Sequence, residues 1–147
     1  MNDEEIKLKI SDYLKRHRKM TLATVTLDGR PLAHTVEYAS DGATVYFGTL
    51  RTTRKAQNII KNSRVSYAVD EDYDDWTKIQ GIQIEGRAEL LTELKDIKQA
   101  SDLIIGKFPA VADFPPNPDM IFVRIEPIAG FFLDYNKGFA HRDEVKF

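Results

Sequence analysis

Cysteine is absent from all 147 positions. Disulfides, thiolate nucleophiles and cysteine-ligated metal centres are therefore excluded. Long apolar runs are absent too: none approaches the roughly 18 residues a membrane span needs. The opening stretch, MNDEEIKLKI, is charged from its second half-turn onward and does not read as a signal peptide. A cytoplasmic protein with no membrane contact is expected. Charge of one sign is also lacking. The net charge is −2, so nothing calls for nucleic acid as a partner. Linkers rich in Pro or Gly, and internal repeats, are missing. With 42% hydrophobic and 30% charged residues, the chain reads as one domain, 1–147, with an ordinary core.

Apolar spacing orders what is present. Residues 3–18 predict a cover helix, with Asp3 as cap, Ile6, Ile10 and Leu14 on one face and His17 as a cation at its end. Met20 to Leu27, an Asp28-Gly29 turn and Pro31 to Ala39 predict a hairpin. A second turn at Ser40-Asp41-Gly42 leads to the strand Thr44 to Thr49, which would extend the hairpin into a three-stranded meander. A helix over Thr53 to Lys61 and a strand over Arg64 to Val69 follow. DEDYDD (70–75) alternates like the start of a calcium loop. It lacks the Gly at position six and the Glu at position twelve, so a solvated connection and no metal are expected.

Lys78 to Leu91 predicts a long strand, with Gly81 and Gly86 marking bulges or close backbone approach. Thr92 can cap a helix to about Phe108, with Leu94, Ile97, Ala100, Ile104 and Ile105 as its stripe. Residues 109–119 hold four prolines and predict a loop. Met120 to Glu126 and Ala129 to Tyr135 predict two more strands, with a tail from Gly138. About seven strands and two or three helices, joined mostly by short turns, point to a mainly β fold with flanking helices, an antiparallel barrel.

One stretch carries chemistry. VYFGTLRTTRKAQNII (45–60) passes from strand to helix, placing Thr49, Thr52 and Thr53 beside Arg54 and Lys55. Unpaired helix-start N–H groups, a guanidinium, an ammonium and hydroxyls suit a phosphate. The plainer alternative is a threonine N-cap followed by a solvated Arg-Lys pair. Cations at a helix start oppose the dipole unless an anion meets them.

Strand, Asp-Gly turn, Arg-Pro, strand, turn, strand, then F-x-T-x-x-x-[ST]-R-K opening a helix: this order resembles the pyridoxamine 5′-phosphate oxidase-like, FMN-binding split-barrel family. LATVTLDGRP (22–31), FGTLRTTRK (47–55), NSRVSYAV (62–69), IQIEGRAEL (82–90) and RIEPIAGFFLDYNKGF (124–139) carry the resemblance. It implies an antiparallel split β-barrel that forms a homodimer, with FMN between subunits. By that resemblance Thr49, Thr53, Arg54 and Lys55 hold the phosphate. Ala33, His34, Thr35 and Val36 lie along the isoalloxazine ring. Trp76, Gln80 and Gln83 supply further contacts, and Tyr135 and Phe139 either close the site or pack in the core.

The departures are specific. LAHTVEY lacks the family oxidases' Arg-x-x-x-x-Lys pair, Ala140-His141-Arg142 is not their Arg-x-His, and the middle helix lacks their Tyr, Arg and Ser set. The expectation is a short, general-stress-type flavoprotein rather than a vitamin B6 oxidase. It would be an FMN-dependent oxidoreductase acting on a small-molecule redox substrate or NAD(P)H, with no acid–base dyad identifiable as catalytic. The alternative is a binding module for haem or a deazaflavin, with His17, His34 and His141 as the available haem ligands.

Overall fold

The computed structural model describes residues 1–147 as eight antiparallel strands and three α-helices. In order they are α1 (Asp3–Arg16), β1 (Lys19–Val25), β2 (Pro31–Glu37), β3 (Ala39–Asp41), β4 (Thr44–Leu50) and α2 (Arg54–Lys61). Then come β5 (Arg64–Asp70), β6 (Gln80–Leu90), α3 (Leu94–Lys107), β7 (Met120–Asp134) and β8 (Arg142–Lys146). The strands form one sheet in the order β2-β1-β5-β6-β7-β4-β3, and β8 pairs with the second half of β7. Its two ends, β2 and β3, are consecutive in the chain with only Tyr38 between them. The sheet therefore curls until the chain itself closes the seam, which makes a split barrel. Tyr38 is fully buried there, its N–H donating to Arg18 O (3.2 Å) and its hydroxyl to Leu14 O (2.8 Å).

This topology corrects the predicted meander. β2 pairs only with β1, while β4 pairs with β3 over three residues and with β7 over six. A meander needs a reversal after each strand. Glu37-Tyr38-Ala39 contains no turn residue, so the chain carries straight from one hairpin into the next and the two hairpins end at opposite edges.

The two strands predicted after Met120 are one continuous strand of 15 residues. Pro127 does not break it because it sits opposite Gly86, where the β6 register shifts. A missing N–H is tolerated at a bulge. A Cβ on Gly86 would come within 2.6 Å of the Ile125 side chain and 2.9 Å of Glu126 O. Gly81, by contrast, keeps its register with Asp70 and marks close approach: a Cβ there would lie 3.2 Å from Val69 O.

Ile6, Ile10, Tyr13 and Leu14 of α1 are buried in the main core with Phe47, Tyr67 and Ile125. Each such side chain contributes about 1.5–3 kcal/mol, so packing rather than propensity holds the helix. Asn2, not Asp3, caps α1, accepting from Glu5 N (2.9 Å). Asn2 lies one residue outside the helix with extended backbone, the geometry a cap requires. His17 stacks on Tyr13 at 3.9 Å, and its ring nitrogens lie 2.7 Å from Tyr13 O and 3.0 Å from a Glu71 carboxylate oxygen.

Glu93 rather than Thr92 precedes α3, without a side-chain cap. Leu94 falls outside that helix's stripe, 84% exposed. Lys107 ends α3 with its ammonium on Leu14 O and His17 O and 4.1 Å over the Tyr38 ring. Burial pushes its pKa down to about 8. The proline-rich stretch holds a 3₁₀ turn, Pro109–Asp113.

The closest strand contact yields a stability prediction. A Cβ on Gly130 would meet Gln83 O, a backbone atom that cannot step aside, and Ile84 at 2.7 Å. Gly130→Ala should destabilise the protein by about 1–3 kcal/mol. Gly106, inside α3 with nothing within 4 Å, is the control, and Gly106→Ala should stabilise by about 0.4–1 kcal/mol. Urea unfolding midpoints read both. Equal midpoints for Gly130→Ala and wild type would contradict the packing of β6 on β7.

Candidate functional site

The strand-to-helix junction is built by alternation. Along β4 the side chains of Val45, Phe47 and Thr49 turn inward and are buried, while Gly48 faces out. Thr53 caps α2: its hydroxyl accepts from Ala56 N (3.4 Å) and donates to Leu50 O (2.9 Å). Thr49 Oγ1 lies 3.1 Å from Thr53 Oγ1. A hydroxyl has one proton, and Thr53 has given its own to Leu50, so Thr49 is the donor of that pair. Both threonines thus spend their protons on shaping the turn. Arg51 closes the loop, its N–H on Asp119 O (2.8 Å) and its carbonyl accepting from Gln57 Nε2 (2.8 Å).

What the junction leaves unspent is positive. The N–H groups of Arg54 and Lys55 are the first two of α2 and have no intrahelical acceptor. The first turn contains no acidic residue. Neither the exposed guanidinium of Arg54 nor the half-buried ammonium of Lys55 enters an ion pair.

His34 joins this cluster from β2. Its imidazole is held below its ordinary pKa, first by burial and then by the charges of Lys55 and Arg54. Its Nε2 lies 2.8 Å from Thr24 Oγ1, and Asn58 Nδ2 of α2 donates to the same oxygen at 3.0 Å. Thr24 has no exposed surface. Sequence reading missed Thr24 and Asn58. Thr24 was visible as a hydroxyl in phase with buried Met20 and Leu22 on β1, a polar side chain at a core position. Nothing marked Asn58 except its place on the helix.

The rest of β2 divides by face. Ala33 and Thr35 are exposed, whereas Val36 is 6% exposed and packs in the core. Val36 thus has only its backbone to offer a ligand. β2 is an edge strand, with one row of backbone donors and acceptors unpaired.

Trp76, Gln80 and Gln83 lie elsewhere. Gln83 is ten positions along β7 from the junction, pairing with Phe131 where Thr49 pairs with Ile121. Across the sheet, however, it is in register with Ala68, Thr21 and Thr35, three strands or roughly 14 Å from β2. Gln80 donates to Asp134 Oδ1 (3.4 Å) and Gln83 is exposed. Trp76 (68% exposed) stands in the 3₁₀ turn Trp76–Lys78, against the turn Tyr135–Lys137. Tyr135 packs edge-to-face on Phe139 at 5.5 Å, and Phe139 is 80% exposed, so the core alternative for Phe139 is overturned. It follows a glycine at φ +142° that ends the Tyr135–Lys137 turn. Clefts of about 410 Å³ (Asp70, Tyr73, Gln80) and 360 Å³ (Thr21, Ser66, Phe131) flank Gln83. In the acidic loop, Asp75 caps the Trp76 turn and Glu71 meets His17. No helix is long and apolar enough to cross a membrane.

Residues 6–134 match the sequence profile described as pyridoxamine 5′-phosphate oxidase. The chain belongs to this family. Among curated proteins it is similar to general stress protein 26 of Bacillus subtilis, 30% identical over 129 residues, covering 86% of this chain and 87% of that one. A FAD-binding protein of Mesorhizobium loti matches with TM-score 0.65 and 25% identity, over 80% of this chain and 86% of that one. A haem-binding protein of Mycobacterium smegmatis matches with TM-score 0.80 and 17% identity, over 95% of this chain and 57% of that one. Family membership fixes the split-barrel fold and agrees with the general-stress-type resemblance.

The cation cluster has a measurable consequence. His34 binds its proton less readily folded than unfolded. As pH falls through the window between its lowered pKa and the ordinary value of about 6.5, the unfolded chain takes up more protons and stability drops. Replacing Arg54 and Lys55 together by Gln should move the His34 titration partway back toward the ordinary value, leaving the burial contribution. NMR titration of the ring reads this. An unmoved titration would place His34 outside the reach of the pair.

Proposed function

We propose that this protein is an FMN-dependent oxidoreductase that binds the cofactor phosphate at the start of α2. The observation that carries this reading is the pair Arg54 and Lys55, unpaired at a helix N-terminus that has no acid in its first turn. Two cations there oppose the helix dipole, and a phosphate dianion reverses the sign of that interaction. Arg54 supplies a guanidinium fork, Lys55 a point charge, and the first N–H groups of α2 the remaining donors. Thr49 and Thr53 hold the turn in shape and reach the phosphate only by exchanging their present bonds. The open edge of β2, Ala33 to Val36, offers backbone donors and acceptors to the heteroatoms of a flavin ring. The flavin itself supplies the electron transfer when bound. The electron donor or acceptor would be NAD(P)H or a small redox metabolite. The FAD-binding relative supports a flavin.

A homodimer fits the same facts. Gln83 stands in the same cross-strand row as Thr35, three strands from β2 on the same face of the sheet, so a flavin ring along β2 would lie on a surface that a second copy would cover. Trp76 and Phe139, both exposed at that end, are aromatic surface for a partner to cover. The haem-binding neighbour raises a haem reading, which the histidines disfavour. Nε2 of His17 faces Glu71, that of His34 faces Thr24 and that of His141 faces Asp143 at 3.2 Å. An axial ligand acting through Nε2 would have to give up one of these bonds. A deazaflavin with a phosphate would use the same junction as FMN.

Titration of FMN and riboflavin against wild type and Arg54→Ala tests the reading. A charge-assisted hydrogen bond contributes about 1.5–3 kcal/mol, so FMN should weaken roughly ten- to a hundredfold while riboflavin, lacking the phosphate, barely responds. Lys55→Ala should cost less. Equal losses for both ligands, or none for FMN, would reduce Arg54 to a solvated helix residue. Sedimentation of FMN-loaded protein should give twice the 16.8 kDa chain mass; a species of one chain mass with FMN still bound would refute the shared site. Turnover of pyridoxamine or pyridoxine 5′-phosphate should stay far below the enzyme median of about 10 per second.

A further inference from the structure

His34, Thr24 and Asn58 form a relay from β2 through β1 to α2, and its protons can be counted. Asn58 Nδ2 can only donate, and it donates to Thr24 Oγ1 at 3.0 Å. Thr24, wholly enclosed, has one hydroxyl proton to place, and the one acceptor it meets is His34 Nε2 at 2.8 Å. Were Nε2 to carry a proton, two donors would converge on Thr24 and its own proton would be left buried without an acceptor, which is costly. Nε2 is therefore the acceptor, and the ring proton sits on Nδ1. That atom makes no hydrogen bond within the chain, and no buried polar side-chain atom lacks a partner, so Nδ1–H is open to a ligand. The charged groups facing the ring are Arg54 and Lys55, and the neutral ones Thr24 and Asn58.

We infer that Thr24 and Asn58 are positioning residues that lock His34 as the neutral Nδ1–H tautomer, making it a third donor, beside Arg54 and Lys55, to the phosphate end of the ligand. The phosphate end follows from location: the relay ends on Asn58 of α2, one helical turn from Arg54 and Lys55. A neutral donor is useful there. It adds a hydrogen bond without adding a third cation to two that already repel. Thr24 touches no ligand; it acts through His34. The donor role rests on the flavin reading above, whereas the tautomer does not.

The test has two arms. In flavin-free protein, nitrogen-detected NMR of the His34 ring should show a protonated Nδ1 and an unprotonated Nε2 near neutral pH. Thr24→Val, which keeps shape and removes the hydroxyl, should release that preference and populate Nε2–H. A wild-type ring protonated on Nε2, or a tautomer unmoved by Thr24→Val, overturns the relay.

In the second arm, Thr24→Val and His34→Leu should each weaken FMN roughly three- to tenfold, the value of one neutral hydrogen bond, and leave riboflavin unchanged. His34→Asn, whose amide N–H sits where Nδ1–H was, should restore wild-type FMN affinity. Failure of His34→Asn to rescue, or equal losses for riboflavin, overturns the donor role. Wild-type protein that binds no flavin at all overturns the flavin reading and the donor role with it, while the tautomer stands or falls on the first arm. Half-exposed His34 makes its variants safe for folding, and a folded-state spectrum checks the buried Thr24→Val.

Discussion

A helix that opens Arg-Lys with no carboxylate in reach is a positive end waiting for an anion, and the local architecture serves that end. β4 must stop at Leu50 for α2 to start at Arg54. Thr49 and Thr53 spend their hydroxyl protons holding the turn, and Arg51 ties it to Asp119 and Gln57. Ala56 and Ile59 anchor the helix in the core, which prevents it from rotating its cations away. Locally the arrangement works against the helix dipole by a few tenths of a kcal/mol to about 1 per charge. A charge-assisted bond to a dianion, at about 1.5–3 kcal/mol each, more than offsets that. Those are the magnitudes on which the proposed phosphate site rests.

The barrel closes without a closing ladder, because β2 and β3 are one extended run through Tyr38. This leaves β2 with a free edge next to the cation cluster. Close contacts at Gly86 and Gly130 fix the register of β6 on β7, and with it the distance between the two halves. The dimer proposal rests on the exposed aromatic surface of Trp76 and Phe139.

Much of this was legible in the sequence where the signal is local. The junction, its threonine cap and the Asp28-Gly29 turn depend on near neighbours, and Gly81 and Gly86 are marked by their own lack of a side chain. What failed depends on distant ones. The meander was wrong because hairpin pairing is local, whereas the partner of β4 is β7, more than seventy residues away. Pro127 read as a strand break because the register shift that accommodates it, with Ile128 unpaired, exists only where β7 meets Glu85 and Gly86 of β6. Phe139 read equally as core or rim because its exposure is set by how the segment after β7 turns back to pair as β8. Thr24 and Asn58 were missed because their meaning arises only when β1, β2 and α2 meet at one hydroxyl.

The most direct measurement is the absorption spectrum of the purified protein, as isolated and after addition of FMN, followed by mass analysis of the released chromophore. The expected result is a flavin spectrum with FMN as the released species, and a shift in its visible bands when FMN is added to cofactor-free protein. A haem Soret band, or a colourless protein whose addition leaves the FMN spectrum unchanged, would contradict the assignment of the α2 junction as a flavin phosphate site.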